Sequence, residues 1–179
     1  MLNKIFKSAL FLSFMSAPAY SRDVIPDHLK SLTDVIELEE STFEDIDIYY
    51  EKRNHHKLLV VKNTLRDLDR FIPVDKKNSC REMKLEIFLI PEHVLNDRDV
   101  MHFISWDSWG NLDVWGAYDS FHRPKVGEMY IDVDAVDSRV SMSIVHEWFH
   151  HHQTSNCQRR SEVGLHKLRD NFCATSSMC

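Results

Sequence analysis

The stretch that decides the fold is MYIDVDAVDSRVSMSIVHEWFHHHQ, residues 129–153. Its opening run, MYIDV, is rich in β-prone residues, and Asp134 or Asp137 can then cap a helix that continues to about Gln153. The later part of this helix carries an apolar stripe formed by Ile144, Val145, Trp148 and Phe149. Such a stripe can be buried while the opposite side of the helix faces a cleft. A strand followed by a half-buried helix is therefore the central unit that we predict.

The helix contains an HExxH pattern, made by His146, Glu147 and His150. At about 100° per residue, these three side chains share one face of the helix. Two imidazoles at this spacing can bind one zinc ion, with a carboxylate beside it. The alternative is that both histidines are ordinary surface or core-edge residues and that Glu147 is a solvated helix charge. Uncharged residues inside the motif and apolar residues just before it favour the metal site.

Residues on both sides of this unit predict further helices. Apolar residues recur at helical spacing over residues 26–40 and again over residues 56–72, where the helix should end before Pro73. A last helix is predicted from about Arg160 to Phe172, after a short loop that contains Cys157.

Several short β-prone runs lie between the helices. They are FEDIDIYY at 43–50, KLEIFLI at 84–90, and HFISW at 102–106 followed by LDVWGAY at 112–118. The order of helices, a small mostly antiparallel sheet, and a metal helix backed by a closing helix predicts an α+β fold. MYIDV is the candidate edge strand, where an extended peptide can be added to the sheet.

The first 21 residues predict a signal peptide. MLNKIFK supplies positive charge, ALFLSFM is an apolar run, and small residues in SAPAYS fit cleavage after Ala19 or Ser21. The apolar run is too short to cross a bilayer, so we expect no stable membrane insertion. The expected product is an exported protein, periplasmic or secreted, with a single domain over residues 22–179.

The net charge of the chain argues against one class of partner. Loss of Lys4 and Lys7 with the signal peptide changes the formal net charge from −6 to −8. An acidic chain of this kind argues against nucleic acid as the main partner.

The chain has four cysteines, Cys80, Cys157, Cys173 and Cys179, which allow three complete pairings in an oxidising compartment. A straight helix over 160–173 is roughly 20 Å long, which is too long for Cys157 and Cys173 at its two ends to form a disulfide. We therefore predict disulfides between Cys80 and Cys157 and between Cys173 and Cys179. Metal binding by these thiols is the alternative, but no CxxC pair is present.

A catalytic zinc usually has three protein ligands, so the two histidines need a partner. The metzincin pattern is excluded because Gln153 and Asn156 stand where it requires glycine and histidine. The predicted last helix offers Glu162, with His166 one turn later and Asp170 one turn beyond. A flexible carboxylate reaches readily from the first turn, so Glu162 is the preferred third ligand and His166 the alternative.

Catalysis would also need a donor for the developing oxyanion. The sequence offers His166, Tyr118 and Tyr130, among which spacing does not choose. Ser143 and Gln153 flank the metal face on the helical wheel and could orient ligands or substrate. Polar edges of a helix are the commoner explanation for these last two.

The residues HEWFHHHQ, followed by CQRRSEVGLHKL, resemble the zincin metallopeptidases. The similarity is to the gluzincin arrangement, and in particular to small exported bacterial proteins whose motif ends in glutamine. It covers about the last fifty residues. The resemblance implies a zincin-like fold, His146, His150 and Glu162 as zinc ligands, and Glu147 as general base.

The function expected from these observations is zinc-dependent hydrolysis of a peptide or protein outside the cytosol. The alternative is a noncatalytic binding protein that keeps the zincin fold or the metal for stability. A third possibility is a disulfide-stapled interaction protein in which HExxH is accidental. Glu147 speaks against the noncatalytic binding protein, because a purely structural zinc site needs no acid there.

Overall fold

A mixed five-stranded sheet forms the centre of the fold. The computed structural model describes residues 36–71, 82–96, 115–120, 123, 125–157 and 162–176. Its strands are β1 (Leu38–Phe43), β2 (Ile46–Glu51), β3 (Lys84–Ile90), β4 (Gly116–Asp119) and β5 (Val126–Asp132), in the spatial order β1-β2-β3-β5-β4. The outer pairs β1/β2 and β4/β5 are antiparallel, and the inner pairs β2/β3 and β3/β5 are parallel. The predicted α+β class is confirmed, but the sheet is mixed instead of mostly antiparallel.

Four helices accompany the sheet in the described segments. They are α1 (Lys57–Phe71), α2 (Glu92–Leu95), α3 (Asp137–Ser155) and α4 (Glu162–Thr175), and a 3-10 turn spans Lys52–Asn54. The predicted helix over 56–72 is confirmed as α1, with its apolar positions Leu58, Val61, Leu65 and Leu68 buried. The last helix ends slightly later than predicted, at Thr175, and the start predicted for it near Arg160 lies outside the described residues. No helix in these segments is both long and apolar enough to span a bilayer.

The sheet separates two cores because side chains alternate along each strand. On one side, α1, α3 and Phe172 of α4 cover a large apolar cluster that includes Ile87, Met129 and Ile131. On the other side, Tyr49, Phe88 and Tyr130 form a smaller cluster in which their rings are stacked, with centroids 4.8 and 5.2 Å apart. The HExxH helix therefore packs on the first side of the sheet.

A row of acidic residues crosses the second side of the sheet. Strand register places Asp47 beside Glu86, Glu86 beside Glu128, and Glu128 beside Asp119. The last three are almost fully buried. Arg123 forms ion pairs with both Glu86 and Glu128, and its Nη1 lies 3.1 Å from Glu128 Oε1. Burying adjacent carboxylates is unfavourable without such a cation, so Arg123 stabilises the row.

The N-terminus of α3 differs from the prediction. Its cap is Val136, which has no side-chain capping bond, instead of Asp134 or Asp137. The Oδ2 atom of Asp134 accepts the backbone N–H of Glu92 at 3.0 Å, and Asp137 pairs with Lys57 at 2.7 Å. Both carboxylates are thus used by tertiary partners, which local capping rules do not consider.

The strand predictions had mixed outcomes. The predicted strand MYIDV is confirmed for Met129–Asp132, which belong to β5, while Val133 follows the strand. Strand β5 lies between β3 and β4 and is not an edge. The outermost strand on this side of the described sheet is β4, of which Gly116–Tyr118 were predicted within LDVWGAY. The predicted strand at 102–106 and most of the predicted helix at 26–40 lie outside the described residues. The end of that helix is wrong, because β1 begins at Leu38.

Candidate metal centre

The side chains of His146 and His150 converge on one side of α3. Their Nε2 atoms lie 3.2 Å apart, and the ring centroids are 4.9 Å apart. The apolar back of the helix explains this orientation, because Ile144, Val145 and Phe149 are buried in the core against the sheet. The two histidines are then left on the other side with their terminal nitrogens together.

The separation of these two nitrogens fits a tetrahedral zinc site. With Zn–N bonds of about 2.0–2.1 Å, two tetrahedral ligands should lie about 3.3 Å apart. The observed 3.2 Å is close to that value. His146, Glu147 and His150 each also present a ligand-type atom within 4.8 Å of the others. The residues present therefore fit zinc.

Glu147 is buried against the outermost strand of the sheet. Only 6% of Glu147 is exposed. A Cβ atom placed on Gly116 would lie 3.1 Å from Glu147 Oε1 and 3.3 Å from Ser143 Cβ. The main chain of β4 thus forms one wall of the site. A solvated helix charge, which was the alternative interpretation of Glu147, would be exposed instead.

The C-terminal helix brings His166 to the site. Its ring centroid is 5.0 Å from that of His146, and the residue as a whole is exposed. Glu162 is the first residue of α4, but its side chain lies outside the described part of the chain. The prediction of Glu162 as third ligand is therefore untested. Asp170 pairs with the neighbouring Arg169 at 2.8 Å.

The surroundings of His146 keep its imidazole in the neutral form. Burial lowers the pKa of His146 to about 4, and the nearby His150, His166 and Arg169 act in the same direction. Its imidazole is therefore neutral at pH 7. Neutral imidazole is the form that binds metal ions, so no proton has to be removed from it first.

Tyr118 supports His150 from the side of β4. The two rings are nearly parallel, with centroids 6.3 Å apart, and the Tyr118 hydroxyl lies 3.1 Å from His151 Nδ1. Burial raises the pKa of Tyr118, so the phenol is neutral. A Cβ atom on Gly127 would lie within 3.0 Å of both Tyr118 and His151. This residue must therefore be glycine for the tyrosine–histidine pair to fit.

Two predicted site residues have other surroundings. Tyr130 packs on the opposite side of the sheet from α3, where its hydroxyl donates a hydrogen bond of 2.6 Å to Glu128. It is therefore wrong as an oxyanion donor. Gln153 is buried on α3, and its Nε2 has no hydrogen-bond partner in the part of the chain that the structure describes. The role of Gln153 in orienting ligands or substrate stays a prediction.

Sequence spacing missed the contributions of Gly116, Gly127 and His151. The two glycines contribute by leaving space for side chains that are distant in the chain, so no local sequence pattern identifies them. His151 is adjacent to the motif, and its position about 100° from His150 on the helix could have suggested a role behind the ligand.

Two of the four cysteines lie in the described residues, one directly after α3 and one in α4. Cys157 follows α3 with a positive φ of 53°, and Cys173 packs at the border of the core. Neither is a free thiol. Cys80 and Cys179 lie outside the described residues, so the pairing stays a prediction.

Comparisons with protein-family models, curated proteins and solved structures find no match to this chain.

Proposed function

We propose that this protein is an exported zinc-dependent peptidase. The observation that carries the proposal is the convergence of His146 Nε2 and His150 Nε2 to 3.2 Å beside the buried Glu147. Two imidazole nitrogen donors and an acid in a partly enclosed site form the minimum arrangement for metal-assisted hydrolysis. The signal-peptide pattern in residues 1–21 supports export.

In the proposed site, His146 and His150 would hold the zinc ion, with Glu162 or His166 as the third ligand. When bound, zinc supplies the Lewis acidity that activates water and polarises the scissile carbonyl. Glu147 accepts the proton of the attacking water at a carboxylate oxygen and returns it to the nitrogen of the leaving amine. Its burial beside Gly116 limits the directions in which this carboxylate can turn.

The remaining oxyanion candidates are not equivalent. Tyr118 already shares a hydrogen bond with His151, and Tyr130 is on the far side of the sheet. His166 is exposed and adjacent to His146, so it can approach either the metal or a substrate. If Glu162 is a ligand, we assign His166 to the oxyanion. If it is not, His166 is the third ligand.

The substrate we propose is an extended peptide. Strand β4 replaces MYIDV as the strand expected to hold it, because β4 is outermost in the described sheet and touches Glu147 through Gly116. Main-chain hydrogen bonds to such a strand would supply much of the affinity.

Zinc stoichiometry tests the proposal. The oxidised protein should contain about one zinc per chain after exposure to the metal, and His146→Ala and His150→Ala should abolish binding. Glu162→Ala and His166→Ala are compared with them, and the one that also loses zinc identifies the third ligand. His93→Ala, which changes an exposed residue of the short helix α2, is the control. A folded protein that binds no zinc would overturn the proposal.

A further inference from the structure

A second concave site lies on the opposite side of α3 from the metal centre. It has a volume of about 480 Å³, and residues of the β1–β2 turn and of α1 form part of its lining. Trp148, His152 and Ser155 line it from α3, and they point roughly 180° away from His146 and His150 on the helix. We refer to this site as the rear cleft.

The rear cleft combines an apolar floor with an acidic rim. Its floor includes Leu65, Leu85 and Trp148, which are buried. Four exposed carboxylates form the rim, namely Glu44, Asp45, Asp69 and Glu82. No lysine or arginine is among its lining residues in the described part of the chain. The cleft thus offers apolar contact at depth and negative charge at its entrance.

We propose that the rear cleft binds a lysine or arginine side chain of a peptide or protein partner. Both side chains have an aliphatic stem that can cover apolar surface while the charged end stays near solvent. The four rim carboxylates provide the complementary charge at that end. The volume lies within the usual range of about 300–1,000 Å³ for small-ligand pockets, so one such side chain with its flanking backbone fits.

The rear cleft shares a residue with the metal centre. His151 lines the cleft, while its Nδ1 lies 3.1 Å from the hydroxyl of Tyr118, which stacks on His150. If the proposed peptidase function holds, the bound lysine or arginine belongs to a part of the substrate away from the cleaved bond. Binding of the cation itself does not depend on that function.

Ligand titration of the full chain, prepared without metal, tests the inference. The probes are N-acetyl-arginine methylamide and N-acetyl-citrulline methylamide, which have nearly the same shape but differ in charge. The arginine compound should shift the NMR signals of Trp148, His151 and His152, and added salt should weaken its binding because the rim is exposed. The citrulline compound should bind at least about fivefold more weakly. Equal affinities, or no binding by either compound, would overturn the proposal.

Rim variants locate the binding. Glu44→Gln and Asp69→Asn should each lower the affinity for the arginine compound by about two- to fivefold, and together by about tenfold. Glu92→Gln, an exposed acid on α2 that does not line the cleft, should leave it unchanged. An unchanged affinity in the double variant would refute binding at this cleft. Zinc content, measured on separate portions of the same proteins after exposure to the metal, distinguishes failure here from failure of the peptidase proposal.

Discussion

Gly116 and Glu147 are in such close contact that the space between them would not accept a methyl group without movement. A Cβ on Gly116 would lie 3.1 Å from Oε1 and 3.2 Å from Cγ of Glu147. The first residue of β4 thereby limits the position of the proposed general base. This contact joins the sheet to the HExxH helix at the proposed catalytic site.

Gly116→Ala should therefore impair hydrolysis more than folding. The added methyl group must displace the Glu147 carboxylate by a few tenths of an ångström, which should lower kcat by about tenfold, since small misplacements of catalytic groups are costly. The measurements are kcat, zinc content and the melting temperature. Zinc content should be unchanged, and unaltered kcat would contradict the role of this contact.

Glu147→Gln separates metal binding from catalysis. The amide keeps the size of the side chain but cannot accept the proton, so activity should fall by about 10²- to 10⁴-fold while zinc remains bound. Activity against a peptide library and zinc content are measured together, with the exposed acid Glu92 changed to Gln as control. Full activity in Glu147→Gln would exclude it as general base. Loss of zinc would make it a ligand instead.

Gly127→Ala should destabilise the protein through the tyrosine–histidine pair behind His150. The new Cβ would be within 3.0 Å of Tyr118 and His151, and overpacking of this kind costs about 1–3 kcal/mol. Chemical denaturation measures the loss. Combining Gly127→Ala with Tyr118→Phe removes the hydroxyl that the new Cβ would contact. The double variant should therefore lose less free energy of unfolding than the sum of the losses in the two single variants. Strict additivity would show that the strain lies elsewhere.

Arg123→Ala should strongly destabilise the acidic row. It leaves Glu86 and Glu128 buried beside each other without their shared cation, and breaking a buried ion pair in this way costs about 3–5 kcal/mol. Arg53→Ala is the matched control, because Arg53 is 64% exposed in its pair with Glu51 and should contribute at most about 1 kcal/mol. Equal losses in urea denaturation would contradict the argument.

Stability of the metal-free protein should decrease in mild acid. Burial lowers the pKa values of both His146 and His151 from 6.5 to about 4. Between these values the unfolded chain binds protons that the folded chain does not, so stability present at neutral pH is lost as the pH falls from about 6.5 to about 4. Urea denaturation across this range measures the change, and His151→Gln should make it shallower. An unchanged slope in that variant would show that other groups are responsible.

Local patterns predicted the elements that carry a clear period. The spacing of Leu58, Val61, Leu65 and Leu68 predicted α1, and HExxH spacing brought His146 and His150 together as expected. Strand order was not predictable in this way, because the parallel pairs join segments far apart in the chain. The error for Tyr130 has a related cause. Strand β5 is buried on both sides of the sheet. The alternation of polar and apolar residues along its sequence therefore did not indicate which side chains face α3.

The inner parallel pairs also bear on how the chain folds. Neither the β2/β3 pair nor the β3/β5 pair can form as a hairpin. Residues 52–83 separate β2 from β3, and residues 91–125 separate β3 from β5. Non-local pairing of this kind slows folding, because the entropy of closing long loops is lost before the contacts form. We therefore expect α1 and the β1–β2 hairpin to form early and β3 to join late. Until β3 is inserted, the metal-binding helix has no complete sheet on which to pack.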